Sequence, residues 1–487
     1  MKVVLSTPPG KTTELWPPLG LLYIASSMRQ RRGDDVQVID AFCENLTGQE
    51  LIERVVEADP NVFGMNCSTH TFLSTIETMK GLKERMPDAK LVLGGYHATF
   101  AYEKILREYP FIDFILCGEG EHSFPQLLER IEDDTRPSDV DGIAFEEDGE
   151  IISRPFKLIE DLDSLPFPAR ELTDRVEYGY SHQNIKLTFG KFTTICTSRG
   201  CPYRCTYCSC AELSLRRWRA RSAENIVEEM ESLYNQGYEC CVVVDDNFTQ
   251  NRRRVEEICG QIRKRKIDMQ FYCEGRVDVS SYEMLRQMKD AGFNVIYYGV
   301  ESASQNVLDY YKKNITPEKS RTAIDNARKA GMLVVTSYIV GAPIESREDI
   351  KRTIDFIRDS RPHAIQVNIL DCLIGTPIWD QLEHDGLVGP EDWKINHRIF
   401  EYMGKHFSED ELTKFKKLAY GAHIDGWKNI NLLTELLRLF MSNESARKII
   451  FGNILNPNIR SKISEEQPVP DGREFLRDAG VGQKEYE

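Results

Sequence analysis

No apolar run in this chain approaches the roughly 20 residues that span a bilayer, so a membrane-crossing helix is not expected. A secretory leader is not expected either. Residues 1–6 are apolar but break at Pro8-Pro9-Gly10 without a cleavage-site pattern, so they read as a first strand and the protein is expected to be cytoplasmic. Positive charge is in short supply: 62 Lys and Arg stand against 77 Asp and Glu, a net charge of -15. Affinity for nucleic acid comes largely from cations that neutralise phosphates, so no nucleic-acid partner is expected. The absence of internal repeats and low-complexity tracts sets aside solenoids and large-scale disorder. No cysteine follows Cys372, which confines any thiolate-held centre to the chain before it.

With 487 residues, 41 % of them apolar, the chain exceeds what one hydrophobic core serves, and two or three globular domains are expected. Its thirteen cysteines, in a reducing compartment, read as free thiols and metal ligands rather than disulfides. Three of them are crowded into one loop, Gly200-Cys201-Pro202-Tyr203-Arg204-Cys205-Thr206-Tyr207-Cys208, just after an apolar run at residues 192–196 that reads as a strand. Gaps of three and then two residues are too tight for three independent core positions. Three thiolates suit a cubic iron-sulfur cluster better than closed zinc, which takes four ligands, and they leave one iron open. Cys210 is available as a fourth thiolate, so a closed metal site stays open as the alternative.

Up to about residue 140 short β-branched runs (3–6, 36–40, 62–67, 91–95 and 114–117) alternate with helical periods, the pattern of a doubly wound, Rossmann-like parallel sheet. Ligands of such sheets bind beyond the carboxyl ends of the strands. Those ends carry Thr7-Pro8-Pro9-Gly10, Asn66-Cys67-Ser68, Gly94-Gly95-Tyr96-His97 and Gly118-Glu119-Gly120-Glu121, where glycine permits close approach and strand-to-helix amides favour anionic groups. A hairpin centred on Asp148-Gly149 and a proline-containing linker occupy residues 141–185. From 186 to 385 six further strand-helix units predict a partial parallel TIM barrel with its site at the strand mouths. Those mouths hold polar residues: Asp245 and Asp246, Glu274 and Arg276, Glu301 and Ser302, Tyr338, Asn368 and Asp371. Buried unpaired charge costs several kcal/mol, so such residues either face a ligand or pair with one another, as Glu274 and Arg276 would. Residues 386–487 read as a helical region, including 410–422 and 432–441, ending in a polar tail.

The cysteine loop resembles the signature of the radical S-adenosylmethionine (SAM) superfamily. The resemblance implies a 4Fe-4S cluster on Cys201, Cys205 and Cys208 whose open iron chelates SAM, reductive cleavage to a 5'-deoxyadenosyl radical, and hydrogen abstraction. It implies further that Asp245 or Asp246 receives the cofactor's amino group, although the superfamily's common Gly-Gly-Glu is absent here. Glu301-Ser302 would hold ribose and carboxylate, and Ile339-Val-Gly-Ala-Pro would lie beside the adenine; Glu274, Arg276, Tyr338 and Asn368 complete the expected cofactor contacts.

The first domain is similar to cobalamin-binding domains that precede such barrels, in Pro17-Pro-Leu-Gly-Leu-Leu-Tyr, Gly94-Gly95-Tyr96-His97, Gly118-Glu119-Gly120-Glu121 and Leu165-Pro-Phe-Pro-Ala-Arg170. It lacks the Asp-x-His-x-x-Gly pattern, since none of the nine histidines follows an aspartate by two positions. If cobalamin binds, its cobalt is expected to lack the usual lower histidine; His97 is the nearest candidate to touch the corrin, or else a polar rim residue. Expected corrinoid contacts are Thr7, Pro8, Asn66, Ser68, Gly94, Gly95, His97, Gly118, Glu119 and Gly120. The expected activity is a cobalamin-dependent radical SAM C-methyltransferase acting on a small molecule, lipid, tetrapyrrole or peptide, with electrons from a flavodoxin or ferredoxin. Oxidative cyclisation or rearrangement is the alternative with the same domains. A methylthiotransferase would use Cys43, Cys67 and Cys117 for a second cluster, and a non-enzymatic corrinoid carrier stands last.

Overall fold

In the computed structural model, which describes residues 1–10, 15–179, 181–182, 185–186, 190–395 and 407–428, the chain builds two large sheets. The first has the order β2-β1-β3-β4-β5-β6-β7. Strands β1 (Lys2–Ser6), β2 (Asp35–Ile39), β3 (Val62–Asn66), β4 (Lys90–Gly94) and β5 (Phe114–Leu116) are parallel. Their near-continuous apolar character is what burial on both faces demands. Crossover helices α1 (Leu19–Arg32), α2 (Gly48–Ala58), α3 (Phe72–Arg85), α4 (Tyr96–Glu108) and α5 (Gly120–Glu132) cover them. The order reverses at β1 and β3, the switch point beside which ligands of doubly wound sheets bind. The hairpin β6 (Ile143–Glu147) and β7 (Glu150–Ser153) extends the edge through Asp148 and Gly149, both left-handed at φ 53° and 83°, as a two-residue turn of this kind requires.

After the small pair β8 (Ser181–His182) and β9 (Ile185–Lys186) comes the second sheet, whose strands are parallel in chain order: β10 (Phe192–Ile195), β13 (Cys240–Val243), β14 (Gln270–Gly275), β15 (Phe293–Glu301), β16 (Leu333–Val340) and β17 (Ala364–Ile369). The short ribbon β11 (Ser198–Arg199) with β12 (Arg219–Ala220) closes the loop after β10 and encloses the one-turn helix α6 (Cys210–Leu213). Helices α7 (Ala223–Asn235), α8 (Arg252–Arg265), α9 (Tyr282–Asp290), α10 (Gln305–Tyr310), α11 (Pro317–Lys329) and α12 (Arg347–Ser360) pack outside. Several start where the sequence marks a cap: Ser222, Ser281 and Thr316 each accept a bond from the first turn, and Ser346 with Asp349 forms a reciprocal box.

Among the described residues the barrel is partial, with β10 and β17 at its edges. Its lower interior is filled by Phe192, Cys240, Val242, Tyr272, Val295 and Val335, against which Trp16 and Tyr178 pack from outside the sheet. Beyond β17 the chain returns to the first domain. Ile374, Trp379 on α13 (Pro377–His384) and Trp393 join the core that holds Phe72, Ala98 and Ala101. Gly375 permits that return, because at φ 82° a Cβ would stand 2.2 Å from the Phe100 ring on α4. The expected helix at 410–422 is part of the longer Glu409–Lys428, while 432–441 and the polar tail lie outside the described residues.

The linker is locked by buried charge. Arg170 donates to Thr193 Oγ1 (3.1 Å), the Thr194 carbonyl (2.8 Å) and Glu229 Oε1 (2.6 Å), and Arg221 takes the other Glu229 oxygen at 2.5 Å. All three charged residues are under 9 % exposed. Removing one member of such a network strands the others, at a cost of about 3–5 kcal/mol. Glu229→Gln, which leaves two buried guanidinium groups short of a counter-charge, is expected to lower the melting temperature of the full chain by several degrees in a thermal-denaturation scan.

Candidate active site

The cysteine loop is shaped by the residues that precede it. Asp245, 1 % exposed just past β13, accepts from Thr197 N (2.6 Å), Thr197 Oγ1 (2.5 Å) and Ser198 Oγ (2.5 Å), with Arg254 at 3.8 Å. Its neighbour Asp246 accepts from Gly200 N at 2.9 Å. Gly200 itself has φ 84°, and a Cβ there would meet the Arg217 carbonyl at 2.3 Å. Farther on, Thr206 N donates to the Tyr311 carbonyl (3.0 Å) and the Thr206 carbonyl accepts from Ile378 N (3.0 Å), so the loop is tied to the end of α10 and to α13.

Cys205 is buried, and Cys201 and Cys208 are half-buried. Burial pushes the Cys201 thiol to about 11 and raises Cys205, while a hydrogen bond with Cys210 draws Cys208 down to about 7 and raises Cys210. Cys201, Cys205 and Cys208 all feel one another's charge. Among the described residues no three His, Cys, Asp or Glu side chains gather closely enough for one metal ion. A cubic cluster takes each thiolate at a separate iron, and three thiols carried on one short loop are a donor set that fits the 4Fe-4S cluster.

Two tyrosines within the loop rest on buried cations. Arg276 stacks on Tyr203 at 3.5 Å from the ring centre, pairs with Asp278 at 3.0 Å rather than with Glu274, and donates to the Lys313 carbonyl at 3.0 Å. Lys313 donates to Tyr207 Oη (3.1 Å) and to Glu301 Oε1 (2.8 Å), which also accepts from Tyr207 Oη (3.1 Å). Burial opposes the Lys313 charge, the Glu301 carboxylate outweighs it, and the ammonium's pKa is raised. Glu301 reaches this position through a bulge at Gly299 to Glu301 and a left-handed backbone at φ 64°; a Cβ on Gly299 would lie 2.4 Å from its carboxylate.

At the barrel mouth Glu274 is exposed, yet the concave surroundings push its carboxyl to about 7 by desolvation and by the charge of Asp246. Asn368 is exposed beside Gln366, and Ser337 Oγ lies 3.4 Å from Glu301 Oε2. Two expected contacts turn elsewhere. Tyr338 is fully buried in the core between sheet and helices, its Oη on Thr336, because β16 presents Ser337 and Ile339 to the inside and Tyr338 to the outside. Ser302 is fully buried on Thr353 of α12 at 3.2 Å. The Gly341-Ala342 turn is built on Glu345, whose Oε2 accepts from Gly341 N (2.7 Å) and Ala342 N (3.3 Å), while burial pushes its carboxyl to about 8.

In the first domain Thr7 bridges Asp40 Oδ1 (2.9 Å) and Phe42 N (3.0 Å), and Pro8 is buried beside it. Asn66 Oδ1, at the end of β3, is buried with no hydrogen-bond partner, and Ser68 Oγ sits 3.1 Å from Thr71 Oγ1. A Cβ on Gly94 would be in ordinary van der Waals contact with Leu116 O at 3.7 Å, whereas Gly95 (φ 93°) lies against the Cys67 backbone. An amide oxygen with no partner among the described residues, at the end of the switch-point strand β3, fits a corrinoid rich in amide donors. His97 is not part of that edge: it has no exposed surface, lies between Phe72 and Trp393, bonds Thr69 Oγ1 through Nδ1 at 3.0 Å, and is held neutral at about 3 by burial. Glu119 is also committed, to Arg199 (3.0 Å), Arg219 (2.8 Å) and Ile159 N (2.7 Å), and Glu121 takes the other arm of Arg199 at 2.5 Å. Gly118 and Gly120 shape this loop against Phe156 and Ile24. Cys43, Cys67 and Cys117 are buried thiols, each pushed to about 12 chiefly by burial.

Two family models match the chain, the B12 binding domain at residues 9–128 and the radical SAM superfamily at 195–357. An uncharacterized methyltransferase of Pyrococcus horikoshii is 31 % identical over 429 residues, 86 % of this chain and 92 % of that protein. The chain belongs to the cobalamin-binding-domain radical SAM enzymes. Another relative is the anaerobic magnesium-protoporphyrin IX monomethyl ester cyclase of Cereibacter sphaeroides, 28 % identical over 85 % of this chain and 66 % of its own length. Among solved structures, the cobalamin-dependent radical enzyme OxsB, with aqua-cobalamin and S-adenosylmethionine bound, superposes with a TM-score of 0.70 at 17 % identity, over 98 % of this chain and 80 % of that one. As a radical SAM enzyme of this family the protein uses a 4Fe-4S cluster, SAM and cobalamin.

Arg199, Arg219, Ser337 and Lys313 were not marked by the sequence. The parity of β16 identifies Ser337 once Val335 is placed inside, whereas nothing in Tyr310-Tyr311-Lys312-Lys313 distinguishes the second lysine. Two outcomes test this geometry. Gly200→Ala, facing a left-handed penalty of about 1–2 kcal/mol and a backbone clash, is expected to lose several-fold in bound iron after anaerobic reconstitution. For Glu345, a folded pKa above the unfolded one means that its stabilisation is full at low pH and lost as pH rises towards 8. Glu345→Gln is therefore expected to gain melting temperature relative to the parent between pH 5 and 9.

Proposed function

We propose that this protein methylates an unactivated carbon of a small molecule, lipid, tetrapyrrole or peptide. Cys201, Cys205 and Cys208 hold the cluster, and Glu301 with Asp246 and Glu274 faces SAM. The edge formed by Thr7, Asn66, Ser68, Gly94 and Gly118 receives the corrinoid. When bound, the cluster and SAM supply a 5'-deoxyadenosyl radical and the corrinoid supplies a transferable methyl group.

The observation that carries this reading is the clamp of Glu119 and Glu121 on Arg199, which brings the corrin-side loop against the residue two before Cys201. On this reading the two cofactors meet beside that clamp, as a reaction shared between them needs. In this reading Glu274, its carboxyl raised by desolvation and by the charge of Asp246, faces the cofactor at the mouth. The tyrosines and buried cations keep the loop in place, and the packed lower barrel keeps water from entering below. Among the described residues no helix is long and apolar enough to cross a membrane; a reducing cytoplasm and a flavodoxin or ferredoxin as electron source complete the proposal. Cyclisation is the second reading, favoured by the likeness to the cyclase of Cereibacter sphaeroides.

Anaerobic reconstitution is expected to give a charge-transfer absorbance that Cys205→Ala abolishes. Incubation with SAM and reductant should then yield 5'-deoxyadenosine, accompanied by S-adenosylhomocysteine if a methyl group is transferred. Deoxyadenosine without S-adenosylhomocysteine would point to cyclisation, and zinc in place of iron would refute the radical reading.

A further inference from the structure

We propose that Lys313 is a positioning residue that sets the reduction potential of the cluster, as a fixed positive charge beneath the cysteine loop. The proposal rests on the reading of Cys201, Cys205 and Cys208 as ligands. Lys313 lies after α10, far from the loop in sequence, yet it is only 9 % exposed and points into the loop's underside. A buried ammonium is costly unless paired, and its pairing here is directional: Nζ reaches Tyr207, the residue before Cys208, at 3.1 Å and Glu301 at 2.8 Å. Its backbone is fixed by Arg276, which donates to the Lys313 carbonyl at 3.0 Å while stacked on Tyr203, the residue midway between Cys201 and Cys205. Arg276 is neutralised locally by Asp278 at 3.0 Å. Lys313 is thus the cation of this layer whose counter-ion, Glu301, is itself bound to the loop through Tyr207.

A cluster held by three thiolates is anionic and gains one more negative charge on reduction. In a low-dielectric setting a nearby cation stabilises the reduced form more than the oxidised form, and a nearby carboxylate does the opposite. The Lys313 and Glu301 pair therefore makes two predictions of opposite sign for one observable, which a purely structural role does not.

The test is an electron-paramagnetic-resonance redox titration of the reconstituted full chain without SAM, on samples matched for iron and sulfide. Lys313→Met is expected to move the midpoint potential to more negative values, Lys313→Arg to restore it, and Glu301→Gln to move it to more positive values. An unchanged or positively shifted potential in Lys313→Met, or shifts of the same sign in Lys313→Met and Glu301→Gln, overturns the proposal. Should Lys313→Met hold no cluster, Lys313→Gln is titrated in its place, with a negative shift in support and any other result against. A parent protein that assembles no Cys205-dependent cluster instead removes the reading of the site, a failure separable from the first.

Discussion

The hydrogen-bonded burial of Asp245 is the constraint on which the site depends. A carboxylate 1 % exposed needs donors, and it finds three in Thr197 and Ser198, the residues that carry the chain out of β10. Satisfying that charge fixes the path into Gly200, and the next residue, Asp246, repeats the operation on the Gly200 amide. The direction in which Cys201 leaves the barrel is thereby decided before any cofactor arrives. Preorganisation of this kind lowers the ordering cost of loading a cluster, because the loop's backbone entropy is already lost on folding.

The same economy appears between the domains. Glu119, the N-cap of α5, and Glu121 in its first turn divide Arg199 between them, and Arg219 from the opposite strand of the ribbon adds a second cation. Isolated surface pairs contribute little, but this network is largely shielded and joins a helix of the first domain to the ribbon beside the barrel. It holds the start of α5 in register with the cysteine loop, while hydrophobic packing of Ile374, Trp379 and Trp393 supplies the adhesion.

Much of this was legible in the sequence where a single period governs. The doubly wound sheet, the hairpin at Asp148-Gly149, the six barrel strands and the cysteine loop all follow from local patterns. Parity was harder. In β16 the polar Tyr338 drew attention as a site residue, but alternation sends it outward and gives the inside to the small Ser337. The same alternation turns Val300 and then Ser302 towards the helices, so Ser302 ends on α12 although it follows Glu301 directly. His97 and Glu119 follow strand ends as the sequence indicates, but their partners Trp393 and Arg199 come from elements far away in the chain, which no local pattern reveals.

The return of the chain to the first domain after β17 has a mechanical consequence. With Phe100 seated on Gly375 on one side and Arg170 anchored on Glu229 on the other, the two lobes are joined by two tethers rather than one. A single tether would permit a jaw-like gape about one point. With the pairs of Glu119 and Glu121 on Arg199 and Arg219 as a further attachment, the lobes are held at more points than a single hinge line allows, which suppresses rigid-body swing of one against the other.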